Sequence, residues 1–149
     1  MDAKILRYRQ FSVHGHQQVA FFVRVRNKIT NHHTSTIMVF DDVQLNTGSA
    51  YDPHIGTFTS PLEGVYKFDL VLSSAVENGH GDMMHNGVRV LYVYADITNQ
   101  RYFGRGSGTI IVHMAKGDKV WIQHTDTGNT VINGEMIYTA FSGHLLFTV

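Results

Sequence analysis

Apolar and polar residues alternate along this chain in short runs, and turn residues separate the runs. In Val19–Arg26 (VAFFVRVR), Val19, Phe21, Val23 and Val25 fall on one side, with Ala20, Phe22 and Arg24 on the other. Ile37–Phe40 is a second run, and Val43 and Leu45 lead into the turn cluster Asn46, Thr47 and Gly48. Asp52-Pro53 marks another turn. Phe58 opens a short extended piece that breaks between Pro61 and Gly64, and Val65, Tyr66, Phe68 and Leu70 restart a strand that continues to Ala75. Glu77–Gly87 (ENGHGDMMHNG) reads as the most flexible stretch, and it ends in Asn86-Gly87, a pair that tolerates positive φ and signals a hairpin.

Val88–Ile97 alternates again, with Val88, Val90, Tyr92 and Tyr94 on one face and Arg89, Leu91, Val93 and Ala95 on the other. Asn99–Gly108 reads as a glycine-rich loop. Ser107–Met114 and Lys119–His124 read as strands, with Ala115-Lys116-Gly117-Asp118 as a tight hairpin between them. Asp126–Gly134 is a polar loop, and Ile137–Val149 is the last strand, where Phe141, Gly143, Leu145 and Phe147 share the expected core face. No stretch carries a helical period. Short strands between turns predict an all-β sandwich or jelly roll.

The aromatic and turn residues of the central stretch also stand at fixed intervals: Phe40, Asn46, Tyr51, Phe58, Gly64, Tyr66 and Phe68. Further on come GDKVW from Gly117 and the ending Phe141-Ser142-Gly143-His144-Leu145-Leu146. Together these resemble the signature of the C1q globular domain, the head module of complement C1q and its relatives, from about Val19 to the C-terminus. Leu70 stands where the pattern has its last aromatic, and leucine also fills a core slot. The resemblance implies a two-sheet antiparallel β-sandwich, a jelly roll of about ten strands, with three heads packed around a threefold axis. The same fold occurs in tumour-necrosis-factor-like cytokines. Residues 1–17 are expected to be a short lead-in and 18–149 the globular domain, without the collagen-like or coiled-coil stalk of many relatives.

Composition narrows the function classes. Lysine plus arginine and aspartate plus glutamate number twelve each, which gives no ground for a nucleic-acid or membrane-surface partner. The basic set Lys4, Arg7 and Arg9 reads as a solvated tail. With no cysteine, disulfides and thiolate chemistry are excluded. No apolar run approaches membrane-spanning length, so no membrane insertion is expected. Met1–Gln10 shows no apolar signal segment, while the resemblance implies a secreted, extracellular protein.

Ten histidines invite a metal reading, and His80, Asp82 and His85 are the tightest group, with His14/His16 and His32-His33 as further pairs. None shows a zinc-enzyme spacing on a helix, so exposed loop histidines are the expectation. Asp41-Asp42 offers calcium-type oxygens but reads as a solvated strand end. The calcium ligands of some family heads follow the strand matching Val88–Ile97, where this chain has only Asp96. A calcium site of the family type is therefore not supported, and no cofactor is expected. No nucleophile elbow is present, and GRGSG at 104–108 lacks the following helix and lysine of a phosphate loop, so no enzyme activity is expected.

Tyr51, Phe58, Tyr66, Phe68, Trp121 and Phe141 are expected mostly in the core. Loop residues Arg101, Tyr102, Phe103 and Arg105 are the candidate ligand group: arginines beside aromatics suit a carboxylate-bearing sugar or another anion, or else the packing of a neighbouring subunit. The resemblance implies a pattern-recognition module of innate immunity, a multivalent homotrimer that binds microbial surface glycans or lipopolysaccharide. The rival readings are a cytokine-like or synaptic-organiser-like ligand of a protein receptor, and a purely structural oligomer. By the same resemblance, Ile111, His113, His144 and Leu146 would lie at the trimer interface, where buried neutral histidines would make assembly weaken in acid.

Overall fold

A computed structural model of the 149-residue chain describes residues 17–26, 35–74, 79–95, 104–124 and 139–149. The described residues form strands β1 (Ala20–Arg24), β2 (Asp42–Thr47), β3 (Tyr51–Asp52), β4 (Thr57–Thr59) and β5 (Gly64–Ser74). They continue as β6 (Gly79–His85), β7 (Val88–Ala95), β8 (Gly104–Met114), β9 (Lys119–Gln123) and β10 (Ala140–Thr148). Two five-stranded sheets result, in the orders β2-β1-β10-β5-β8 and β3-β4-β9-β6-β7. All pairings are antiparallel, and the sheets are stacked with one core between them, the jelly roll expected from the alternation.

Period two sets which residues enter that core. Val19, Phe21, Val23 and Val25 are buried along the first run, and Tyr66, Phe68, Leu70 and Leu72 along β5. Phe21 is the hub of an aromatic cluster. It stacks on Tyr51 and Phe58, each with centroids 5.2 Å apart, and meets Phe141 edge-on at 4.9 Å. The spaced residues of the central stretch explain themselves here. The Tyr51 hydroxyl donates to the Phe40 carbonyl and accepts from the Phe40 N–H, both at 3.1 Å. Asn46 clamps the Tyr51 backbone from both sides, Nδ2 donating to its carbonyl at 2.8 Å and Oδ1 accepting its N–H at 3.2 Å. At Gly143 a Cβ would stand 2.4 Å from Phe68 Cδ1, so the ring and the strand beside it require glycine.

Several expectations are corrected. Within the stretch read as most flexible, Glu77 and Asn78 lie outside the described residues, and Gly79–His85 is a strand inside the second sheet, paired with both β7 and β9. Its glycines are packing residues, since a Cβ on Gly81 would already touch Ile122, Met38 and Leu70 at 3.3–3.5 Å. Gly104–Gly108 likewise belongs to β8 and not to a loop, and a Cβ on Gly106 would lie 2.2 Å from the Tyr94 carbonyl oxygen. The 115–118 turn joins no hairpin, because β8 and β9 belong to different sheets. The turn itself is tight, with Gly117 at φ 91° and the Asp118 carboxylate accepting the Ala115 N–H, but Ser60 ties it across to the other sheet. Ile37–Phe40 contributes a single bridge, Ile37 to Gln123, and buries Met38 and Phe40 without becoming a full strand. The Asn86-Gly87 hairpin forms as read, with φ of 48° and 85°.

Candidate functional site

The outer face of the first sheet carries the four residues assigned to subunit contact. Ile111 and His113 stand two apart on β8, and His144 and Leu146 two apart on β10, all exposed. Lys67 of β5 is registered between His144 and Ile111 and pairs with Asp69 at 3.5 Å. Exposed Phe22, Val43, Leu45 and Phe147 extend the apolar area. Phe147 was expected in the core. A bulge between Leu145 and Phe147 reverses the alternation there and leaves Phe147 55% exposed. A groove of about 630 Å³ opens on this side between β1, β2 and β10, lined by Val19, Leu45, His144 and Leu146 among others. His113 Nε2 lies 3.2 Å from Glu63 Oε1.

Of the candidate ligand residues, Arg101, Tyr102 and Phe103 lie outside the described residues, as does Asp96. Arg105 sits exposed on β8, registered opposite Ser73 of β5.

The histidine–aspartate group resolves into two separate arrangements. His85 Nε2 faces Asp118 Oδ2 at 3.2 Å, and Asn86 Oδ1 accepts the Lys119 N–H, so the β6–β7 turn is fastened to the start of β9. Asn86 hydrogen bonding, the Ala115 N–H and His85 hold the Asp118 carboxyl below the usual carboxylate range against its partial burial. His80 and Asp82 are not loop residues but lie on β6, both buried. Among the described residues no three histidine or acidic side chains form a metal-holding group. Asp42 is engaged by Arg24 at 2.9 Å and by Arg26, and Asp41 accepts the Arg26 N–H, so this pair is not arranged as a calcium shell.

The second sheet's outer face holds a feature that the sequence reading missed. Register places Gln123 of β9, Asp82 of β6 and Tyr92 of β7 in one row, and Trp121, Met84 and Arg89 in the next. The row crosses a bulge: Met83 pairs with Leu91 but Met84 with Arg89, so Val90 has no partner. Strict alternation grouped Arg89 with the core-facing Leu91 and Val93. The bulge instead sets it beside Asp82, Nε to Oδ2 3.6 Å. The Tyr92 and Tyr94 rings lie nearly parallel at 6.4 Å and are 48% and 40% exposed, and His80 stacks on Tyr92 at 5.3 Å. Trp121, expected in the core, is half-buried on this face, its Nε1 donating to Gln123 Oε1.

The two stacked sheets define a jelly-roll domain, and comparison with known proteins assigns its family. The C1q domain model matches residues 20–146, and the chain belongs to the C1q domain family. It is 30% identical over 133 residues to complement C1q tumor necrosis factor-related protein 3 of Mus musculus, an alignment covering 87% of this chain and 52% of that protein. Complement C1q and tumor necrosis factor-related protein 9B of Homo sapiens is 31% identical over 114 residues, 73% of this chain and 33% of that protein. The chain thus spans about half the length of the first of these relatives and a third of the second. Among solved structures, the globular domain of zebrafish complement 1qA protein superposes with a TM-score of 0.69 at 22% identity, covering 88% of this chain and 99% of that domain. The Eiger tumour necrosis factor of S. frugiperda gives 0.69 at 8% identity, covering 90% and 96%, a likeness of fold alone.

Proposed function

We propose that this domain is the head of a secreted homotrimer that recognises microbial surface glycans, lipopolysaccharide among them, through several equivalent sites. The observation that carries the reading is the division of labour between the two outer faces. One is apolar and exposed through Phe22, Leu45, Ile111, Leu146 and Phe147, the character of a surface that a second subunit covers. The other presents paired tyrosines beside an arginine, a surface suited to the C–H face and hydroxyls of a sugar ring. Packing through the first face leaves the second pointing outward on every copy, and three weak sites then act together. The family supports a recognition module over an enzyme, and a rigid sandwich is a natural carrier for such a site.

The test is a glycan array followed by competition in solution. Saturable binding to bacterial polysaccharides, displaced by free sugar, is the expected result. Binding to a cell-surface protein that no sugar displaces would instead favour a receptor ligand of the cytokine-like kind.

A further inference from the structure

We infer that the face formed by β6, β7 and β9 binds a carboxylate-bearing sugar, gripped by Arg89 and stacked on Tyr92, with Asp82 as the buried anchor of Arg89. The inference rests on the glycan reading above and deepens it.

The starting point is a carboxylate in an unfavourable place. Asp82 is fully buried in the middle of a central strand, and neither of its oxygens has a hydrogen-bond donor. Its partner is Arg89 Nε at 3.6 Å, an ion-pair distance that falls short of a hydrogen bond. A buried ion held this loosely does not stabilise the fold, because its desolvation exceeds what one distant partner returns, and an apolar side chain of similar size would pack there at less cost. What Asp82 does accomplish is positional. It draws the Nε side of the Arg89 guanidinium toward the sheet.

Arg89 keeps the rest of its fork for something else. Its side chain is 56% exposed, and Asp82 is its one ion-pair partner among the described residues. With Nε turned inward, the two terminal nitrogens remain, and a planar pair of donors matches a planar carboxylate in a bidentate contact. The unpartnered Val90 puts Arg89 on this face, two rows from Tyr94 and one from Tyr92. Tyr92 stacks on His80 and lies nearly parallel to Tyr94 at 6.4 Å, so its partly exposed ring is held in a fixed orientation. A sugar ring laid on Tyr92 would direct an acidic substituent toward Arg89. The fork matches carboxylate and phosphate alike, but the net charge of the arginine–aspartate pair is zero, so the site favours a carboxylate, with one charge to desolvate, over a phosphate monoester, with close to two.

Three probes that share one ring and differ at a single carbon separate these chemistries: methyl β-D-glucuronide, its methyl ester, and methyl β-D-glucoside 6-phosphate. Binding to the full chain is measured by saturation-transfer NMR and titration calorimetry. The glucuronide is expected to bind at least tenfold more tightly than the ester or the phosphate. Arg89→Lys, which keeps the charge but loses the fork, is expected to lose at least tenfold, as is Tyr92→Ala. Both positions are exposed, and unchanged circular dichroism and sedimentation show that the variants are folded. Equal binding of glucuronide and ester, or unaltered binding by Arg89→Lys, overturns the inference, as does a preference for the phosphate. A wild-type protein that binds bacterial polysaccharide but not the glucuronide overturns this site and leaves the glycan reading standing. One that binds no saccharide overturns both.

Discussion

Removing the hydroxyl of Tyr51 is the sharpest test of how the spaced residues between Phe40 and Phe68 build the core. In Tyr51→Phe the ring still fills its place against Phe21, but the Phe40 N–H and carbonyl lose their common partner in a region where Phe40 is 0% and Tyr51 2% exposed. Water does not reach them. An intramolecular hydrogen bond is worth about 1 kcal/mol net, and a buried donor left unsatisfied costs about 1–3 kcal/mol. The substitution should therefore destabilise by about 2–3 kcal/mol. For a domain of this length, unfolding entropy converts 1 kcal/mol to roughly 3 °C, so the melting temperature should fall by roughly 6–9 °C. Tyr66→Phe is the internal control. Its hydroxyl donates to Leu62 at 2.8 Å in a partly buried position where water can replace it, and about 1 kcal/mol or less should be lost. Urea unfolding of both variants, followed by tryptophan fluorescence of Trp121, reads the difference. Equal losses in the two, or a Tyr51→Phe effect below 1 kcal/mol, would refute the claim that Phe40 depends on this hydroxyl. Burial also pushes the Tyr51 phenol far above its ordinary value of 10, so stability should fall as pH rises above about 10, and the variant should show a smaller alkaline loss, the part due to Tyr66, which burial also raises, remaining.

Three further outcomes follow from the same geometry. Gly143→Ala forces a methyl against Phe68 and Phe21 and should cost about 1–3 kcal/mol in chemical denaturation, more than Gly117→Ala, where the added methyl meets nothing and only the positive φ is strained. The Asp118 carboxyl is held below its ordinary 3.8, so the stability it contributes is present above that value and lost as pH falls through the lowered one. Asp118→Asn should flatten the acid limb of a stability–pH curve below about pH 4 while leaving its neutral part lower. Ile111→Asp, at a side chain 65% exposed in the single chain, should leave the monomer folded by circular dichroism yet reduce the sedimenting mass to one chain.

Much of the fold was legible because period two and local turn chemistry act over a few residues. The alternation in β1 and β5, the Asn86-Gly87 turn and the aromatic spacing from Phe40 to Phe68 all translated directly into buried faces. What escaped was non-local. Gly79–His85 looked like a loop because glycine is common in loops, whereas here a Cβ on Gly79 would collide with Ser74 of the preceding strand, and one on Gly81 would press on Met38 and Ile122, which lie far away in sequence. Turn residues 115–118 marked a reversal but carried no record of which sheet receives the next strand. Two bulges, each a single extra residue, flipped Phe147 out of the core and Arg89 onto the outer face. Nothing in VRVLYVYA shows that slip, so the Asp82–Arg89–Tyr92 arrangement could not be read from the string. The one hint was Asp82 itself, an acidic residue followed directly by Met83 and Met84.

The two-faced account stands or falls on assembly through the apolar face. Sedimentation equilibrium of the wild-type chain at micromolar concentration and neutral pH measures it directly. The account predicts a single species with the mass of three 16.8 kDa chains. A species with the mass of one chain would show that Phe22, Ile111, Leu146 and Phe147 face water in solution, and would contradict it.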